Sequence, residues 1–319
     1  MARSVSGGPI DVLVYDAEAP RYAALVRAPR GRVTVHTAST PMQAAARIGD
    51  AEVVFAWKFP PHLYRDARRL RWLQGMGAGV EWALTPELPP GVIVTRAPGI
   101  FGPWMAEYVL GWCLWIAQRM ADYRAAQQRR EWMQHVPPER LAGKTMTIVG
   151  LGDIGRTIAR AARGLGVRVV GVSRSGRAGA VAERVYPVGR LRQALGVADF
   201  VVVVVPLNER TRGLIGAAEL GAMRPSAWLL NIGRGPIVEE KALLDALERR
   251  TIAGAVLDVF NTEPLPRDHP LWTCANAVIT PHISGPSTPE ELTPIFNENL
   301  ARYLAGRALR HVVDRRRGY

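Results

Sequence analysis

Short apolar runs, bounded by polar or turn residues, recur along the first hundred residues. Residues 10–16 (IDVLVYD), 32–36 (RVTVH), 51–57 (AEVVFAW), 71–74 (RWLQ) and 92–95 (VIVT) have the length and the β-branched or aromatic content of strands. Helical stretches around 18–29 and 40–49 separate several of them, and such alternation predicts a parallel α/β sheet. The pattern then changes. Residues 104–130 place apolar side chains on one face, with Arg and Gln later in the run, which predicts one long helix. Beyond a loop at 135–140 (HVPPER) a second α/β series begins, with strands predicted at 145–150, 168–173, 200–205, 227–232, 254–259 and 277–280. The run VVVVV at 201–205 suits a central parallel strand covered on both faces. A last helix, about 290–304, is expected to return to the first unit. The predicted organisation is a discontinuous domain, 1–110 with 291–319, interrupted by a second domain at 111–290.

A chain of 319 residues is long enough for two domains of about 100–200 residues each. With 48% hydrophobic and 22% charged residues it reads as globular, with enough apolar content for cores of normal size. Cys113 and Cys274 form neither a CxxC nor a metal-ligand spacing, so both are expected to be reduced, buried thiols, with no metal bound, in a cytoplasmic protein. The N-terminal residues show no apolar signal region. The longest apolar runs fall far short of the ~20 residues that a membrane span needs, so no membrane association is expected.

The charge is +13, from 41 basic and 28 acidic residues. Only Lys58, Lys144 and Lys241 are lysine, and the arginine clusters at 68–71, 129–130, 249–250 and 315–317 are short and scattered. They lack the interleaved aromatics of a nucleic-acid surface, so they read as solvated faces. Their summed field would still favour an anionic substrate and cofactor.

The predicted strand at 145–150 runs straight into Gly150-Leu151-Gly152-Asp153-Ile154-Gly155 and then a helix. A bare GxGxxG is weak evidence, but a strand before it and a helix after it give it meaning. Gly150 permits the tight turn, Gly152 lets a pyrophosphate approach the backbone, and Gly155 lets helix and strand pack closely. The helix N-terminus offers free N–H groups and a positive dipole end to phosphate. Asp153 and Ile154 complete the candidate cofactor loop. Next comes the strand that usually carries an acidic residue for the ribose hydroxyls of NAD; here it ends in Ser173-Arg174-Ser175, with Arg177 close behind. A guanidinium there suits a 2′-phosphate and a carboxylate would repel it, so NADP(H) is expected in preference to NAD(H).

Three later segments sharpen the chemistry: Asn231-Ile232-Gly233-Arg234-Gly235, the run from Leu257-Asp258 through Glu263-Pro264, and Thr280-Pro281-His282-Ile283-Ser284-Gly285. In this order after a GxGxxG they resemble the D-2-hydroxyacid dehydrogenase family. The similarity extends to Gly77-Ala78-Gly79-Val80 and Met105-Ala106-Glu107-Tyr108. Within the family the chain is most similar to the glyoxylate/hydroxypyruvate reductase A branch, through Trp57, the GAGV loop and the closing segment from Val313. The resemblance implies two Rossmann-like domains of parallel sheets flanked by helices. The NAD(P)-binding domain would be inserted in a discontinuous, flavodoxin-like substrate domain.

The resemblance also implies roles. Arg234 would hold a substrate carboxylate and polarise its carbonyl. His282 would protonate the developing alkoxide as hydride arrives, with Glu263 behind it to orient the imidazole and stabilise its positive charge. Further cofactor contacts would come from Pro206, Thr211, Ile232, Asp258, His282 and Ser284, with Asp258 facing the nicotinamide. Trp57 with Lys58, and a loop at Gly77, Ala78 and Gly79 whose N–H groups form an anion nest, would meet the substrate.

Taken together, these residues imply an NADPH-dependent reductase of glyoxylate or hydroxypyruvate. It would form a homodimer through the aromatic- and Arg-rich segment 104–132, with Trp132 a candidate to reach the neighbouring site. Two departures from the family pattern stand out, Asp153 inside the phosphate loop and Glu81 in place of a shorter acid. Two alternatives share these motifs: a dehydrogenase for a larger 2-keto acid, and a non-catalytic dinucleotide-sensing corepressor.

Overall fold

The computed structural model describes residues 8–177 and 179–318. In chain order the first elements are β1 (Ile10–Tyr15), α1 (Ala19–Leu25), β2 (Val33–Ala38), α2 (Pro41–Ile48), β3 (Val53–Ala56), β4 (Trp72–Gly75) and β5 (Ile93–Thr95). Then come α3 (Phe101–Ala117) and α4 (Met120–Arg129). The second series contains β6 (Thr145–Val149), α5 (Asp153–Gly164), β7 (Arg168–Ser173), β8 (Arg184–Pro187), α6 (Leu191–Leu195), β9 (Phe200–Val203), α7 (Ala217–Gly221), β10 (Trp228–Asn231), α8 (Glu240–Glu248), β11 (Gly254–Leu257) and β12 (Ala277–Ile279), and α9 (Pro289–Leu304) follows it.

Two compact units result. Residues up to Ile100 join those from Ser287 onward, and Phe101–Pro286 forms the other. In the first, all strands are parallel in the order β2-β1-β3-β4-β5, the flavodoxin-like arrangement. In the second, the order β12-β11-β10-β9-β6-β7-β8 is also parallel throughout and reverses between β6 and β9. That is the topological switch point of a doubly wound sheet, outside whose strand ends ligands bind.

Helix α9 completes the first core. Phe296, with none of its surface exposed, stacks between Phe55 and Trp72 at centroid distances of 4.4 and 5.2 Å. Buried Asn299 donates to Gln74 Oε1 at 3.1 Å, and Tyr303 Oη donates to Glu52 at 2.7 Å. A Thr288 N-cap with Glu291 in a capping box starts the helix just after the unit boundary.

The structure departs from the sequence pattern in three places. The helix expected over 104–130 starts at Phe101 and is broken at Arg119, whose φ is 52°. The break is set from outside, because Ala117 O accepts from the Glu139 amide and the Gln118 side chain donates to Glu139 O. Strand β8 was not expected: it is a four-residue edge strand with one buried side chain, Tyr186, under the Arg184 guanidinium. The boundaries fall at Ile100/Phe101 and Pro286/Ser287 rather than at 110/111 and 290/291. Helix α3 belongs wholly to the second unit because Gly102 lies so close to Thr157 of α5 that a Cβ would sit 2.8 Å from its Oγ1.

Replacing Phe296 with Ala should destabilise the first unit by about 3–5 kcal/mol through the cavity left between Phe55 and Trp72. Urea unfolding followed by tryptophan fluorescence measures it, and a loss below about 1 kcal/mol would mean that α9 does not complete this core.

Candidate functional site

The phosphate loop fits its glycine pattern residue by residue. Gly150 has φ 111°, and a Cβ there would lie 2.5 Å from Val204 O, so the ends of β6 and β9 meet backbone to backbone. A Cβ on Gly155 would collide with Gly150 O, which lets α5 start directly against the loop. Gly152 is different, since its Cβ would meet nothing within 4 Å. It N-caps α5 without a side-chain cap, leaving open space and the first helical amides for an anion. This cradle fits a pyrophosphate. Asp153, exposed, is the first residue of α5, and Ile154 is half-buried. Arg156 was missed by sequence reasoning; its Nε donates to Leu151 O at 3.0 Å, which brings a guanidinium to the loop beside Asp153.

The neighbouring strand end carries the residues expected to select the cofactor. Val172 of β7 pairs with Val149 of β6, so Ser173 emerges beside Gly150. The Ser173 hydroxyl donates to Arg177 O at 3.1 Å, and Arg174 and Ser175 are exposed in the turn. No carboxylate occurs from Ser173 to Arg177. After β9, Thr211 Oγ1 donates to Pro206 O at 2.6 Å and accepts from Asn208 N at 2.9 Å. That hydroxyl therefore shapes the loop that Pro206 opens, and Ile232 lies buried just past β10.

Three strand ends hold the titratable set. Asn231, at the end of β10, accepts from Gly233 N and donates to Arg234 O, folding the turn that presents half-buried Arg234. A Cβ on Gly235 would collide with the Phe260 backbone, so this turn abuts the segment after β11. There Glu263 Oε1 accepts from Phe260 N at 3.1 Å while its Oε2 lies 2.8 Å from His282 Nδ1. Since a carboxylate has no proton to give, Nδ1–H is the donor, and Nε2 is the ring atom left for chemistry. The structure thus brings Glu263 and His282 into contact and sets Arg234 on the adjoining loop.

Asp258, expected to face the nicotinamide, is held by donors from the segment after β12. None of its surface is exposed, and its carboxylate accepts from Thr280 Oγ1 at 2.6 Å, Ile283 N at 2.8 Å and Ser284 N at 2.9 Å. Ser284, 3% exposed, is likewise turned into the protein. The Asp258 carboxylate and the Ser284 amide thus shape the loop of His282. His282 itself has φ 54°, a left-handed backbone that only a well-held loop maintains.

The substrate candidates of the first unit also come together. Gly77 follows β4 and Trp57 follows β3, and a Cβ on Gly77 would lie 2.5 Å from Trp57 Cζ3. Trp57 is 37% exposed, so it is a surface wall rather than core. Neither Gly77 nor Gly79 has a positive φ. The nest expected around Ala78 is therefore not formed by left-handed glycines; Gly77 is small to admit the indole.

The class follows from where these groups stand, around the switch point of a parallel sheet with a cradle for a pyrophosphate: a dinucleotide-binding oxidoreductase. Comparison with known proteins agrees. Residues 110–284 match the model of the D-isomer specific 2-hydroxyacid dehydrogenase NAD binding domain. A solved D-isomer specific 2-hydroxyacid dehydrogenase family protein from Aeromonas salmonicida subsp. salmonicida A449 is similar with a TM-score of 0.89 at 36% identity, covering 96% of this chain and 99% of that one. The NADPH-dependent glyoxylate/hydroxypyruvate reductase of Sinorhizobium meliloti, solved with NADP and sulfate, gives a TM-score of 0.87 at 30% identity, covering 97% and 100%. Glyoxylate/hydroxypyruvate reductase A of Serratia proteamaculans (strain 568) is 30% identical over 276 residues, 84% of this chain and 88% of that protein. The chain belongs to the D-isomer specific 2-hydroxyacid dehydrogenase family, and is an oxidoreductase acting on CH–OH groups with a nicotinamide dinucleotide.

Gly235→Ala tests the contact between the two site loops. Displacing the Phe260 segment should lower turnover by about 10²-fold, the scale of a 1 Å misplacement, with the circular dichroism spectrum retained; full turnover would show that the loops need not abut.

Proposed function

We propose that the enzyme reduces a small 2-keto acid, glyoxylate to glycolate or hydroxypyruvate to D-glycerate, with NADPH as reductant. The observation that carries this reading is the locked His282–Glu263 pair at 2.8 Å beside the loop of Arg234. When bound, the reduced dinucleotide supplies the hydride. Arg234 receives the substrate carboxylate in its planar fork of donors and draws charge from the adjoining carbonyl. His282 delivers the Nε2 proton to the carbonyl oxygen as hydride reaches carbon, so that the oxygen stays on its carbon as a hydroxyl and not an alkoxide. Glu263 keeps Nδ1 protonated and stabilises the imidazolium before transfer.

Arg174 supports the choice of NADPH, because a guanidinium attracts a 2′-phosphate. Trp57 and the Gly77–Ala78–Gly79 loop are the substrate group of the first unit. The relatives from Serratia and Sinorhizobium, named for glyoxylate and hydroxypyruvate, support the substrate class. The enzyme works as a homodimer in the cytoplasm. Segment 104–132 supports the dimer with an edge-to-face ladder of Tyr108, Trp112 and Trp115 and with Trp104 and Trp132 at 42% and 91% exposure. The thiols Cys113, buried as expected, and Cys274, only half-buried, are both free and suit a reducing compartment. Among the described residues no helix is long and apolar enough to cross a membrane.

A panel of glyoxylate, hydroxypyruvate, pyruvate and larger 2-keto acids against NADPH and NADH should give the highest kcat/KM with the two smallest hydroxy- or aldehyde-bearing acids and NADPH; a larger acid in first place would overturn the substrate assignment. His282→Ala should lower turnover by about 10²–10⁴-fold with NADPH affinity retained, and unchanged turnover would remove His282 from the mechanism. Arg174→Asp should turn the cofactor preference toward NADH, whereas a wild-type enzyme already preferring NADH would refute the role of Arg174.

A further inference from the structure

Helix α3 touches the site at three levels on one face. Gly102 lies against Thr157 of the phosphate-loop helix α5. One turn later Met105 packs on Gly285, where a Cβ would sit 3.1 Å from Met105 Cγ. After one more turn, Tyr108 Oη lies 2.6 Å from Thr280 Oγ1, and Thr280 Oγ1 donates to Asp258 Oδ1 at 2.6 Å. Thr280 has one proton and the carboxylate accepts it, so Tyr108 is the donor to Thr280. Burial, reinforced by the Asp258 charge and opposed by the bond to Thr280, pushes the Tyr108 hydroxyl up to about 12, which keeps it a donor throughout the working pH range. Thr280 is joined to His282 as well, because its carbonyl accepts the His282 amide at 3.1 Å.

We infer that Tyr108 is a positioning residue for the proton donor: its hydroxyl, acting through Thr280 and Asp258, sets the left-handed turn that aims His282. Because the same helix face grips α5, it also keeps His282 in register with the phosphate loop. The phenol also bonds the Trp112 side chain, and it bears on the His282 turn through Thr280. The inference rests on His282 being the general acid.

The test uses the full-length enzyme with glyoxylate and NADPH, or with the 2-keto acid it turns over fastest, and compares Y108F, T280V, T280S, Y108F/T280V and H282A. Y108F should lower kcat about 5–10-fold, the effect of one lost hydrogen bond to a polarised partner. KM, NADPH affinity and Tm should stay near wild type, a split that a merely structural role would not produce. T280S, which keeps the hydroxyl, should retain near-wild-type kcat. T280V should be at least as slow as Y108F, and the double variant no slower than T280V. A Y108F enzyme with wild-type kcat beside an inactive H282A would overturn this inference alone, as would an additive double variant. An H282A enzyme that keeps its turnover would overturn the general-acid reading and this inference with it.

Discussion

The carboxylate of Asp258 has no exposed surface, so the donors around it have to carry its charge. All three come from the segment after β12: the Thr280 hydroxyl and the amides of Ile283 and Ser284. Hydrogen bonds to a charged group are worth about 1.5–3 kcal/mol each. A left-handed backbone at a non-glycine residue costs about 1–2 kcal/mol, so the grip on this turn outweighs the strain at His282. Relaxing His282 would strand a buried charge. For that reason the His282 imidazole, although on a loop, is held in one direction.

Around this turn the site is assembled by backbones brought too close for side chains. Gly150 abuts the end of β9, Gly155 abuts Gly150, and Gly235 abuts the segment after β11. At Gly150 and Gly235 the segments after two strands meet, and at Gly155 helix α5 meets the loop. Gly150 and Gly155 fix the cofactor loop at the switch point of the sheet, and Gly235 joins the Arg234 turn to the segment that carries Glu263. Rigidity here matters because catalytic groups held in place need not reorganise as charge develops.

The abundant arginine plays a different part. Pairs such as Arg129–Glu131 and Arg21–Glu290 lie on exposed surface, where ion pairs contribute little to stability. The net charge of +13 acts instead at a distance, as a field that attracts anions.

The two parallel sheets, the GxGxxG turn and the residue types Arg234, Glu263 and His282 were all legible in the linear pattern. Burial periodicity and glycine placement are local properties, and a motif carries its own geometry. Other features depended on partners distant in sequence. The break at Arg119 is set by Glu139, the domain boundary by the packing of α3 on α5, and the small size of Gly77 by an indole twenty positions earlier. The resemblance implied that Asp258 faces the nicotinamide; only the fold, closing Thr280 and Ser284 around it, shows what holds its carboxylate against the loop of His282. Tyr108 and Thr280 are 172 residues apart, and no spacing along the chain announces their hydrogen bond. The sequence by itself thus determined the two sheets, the phosphate-loop turn and the strands after which Arg234, Glu263 and His282 stand. The tertiary structure decided what holds them, because hydrogen bonds between distant segments exist only once sheet register and helix packing have been set.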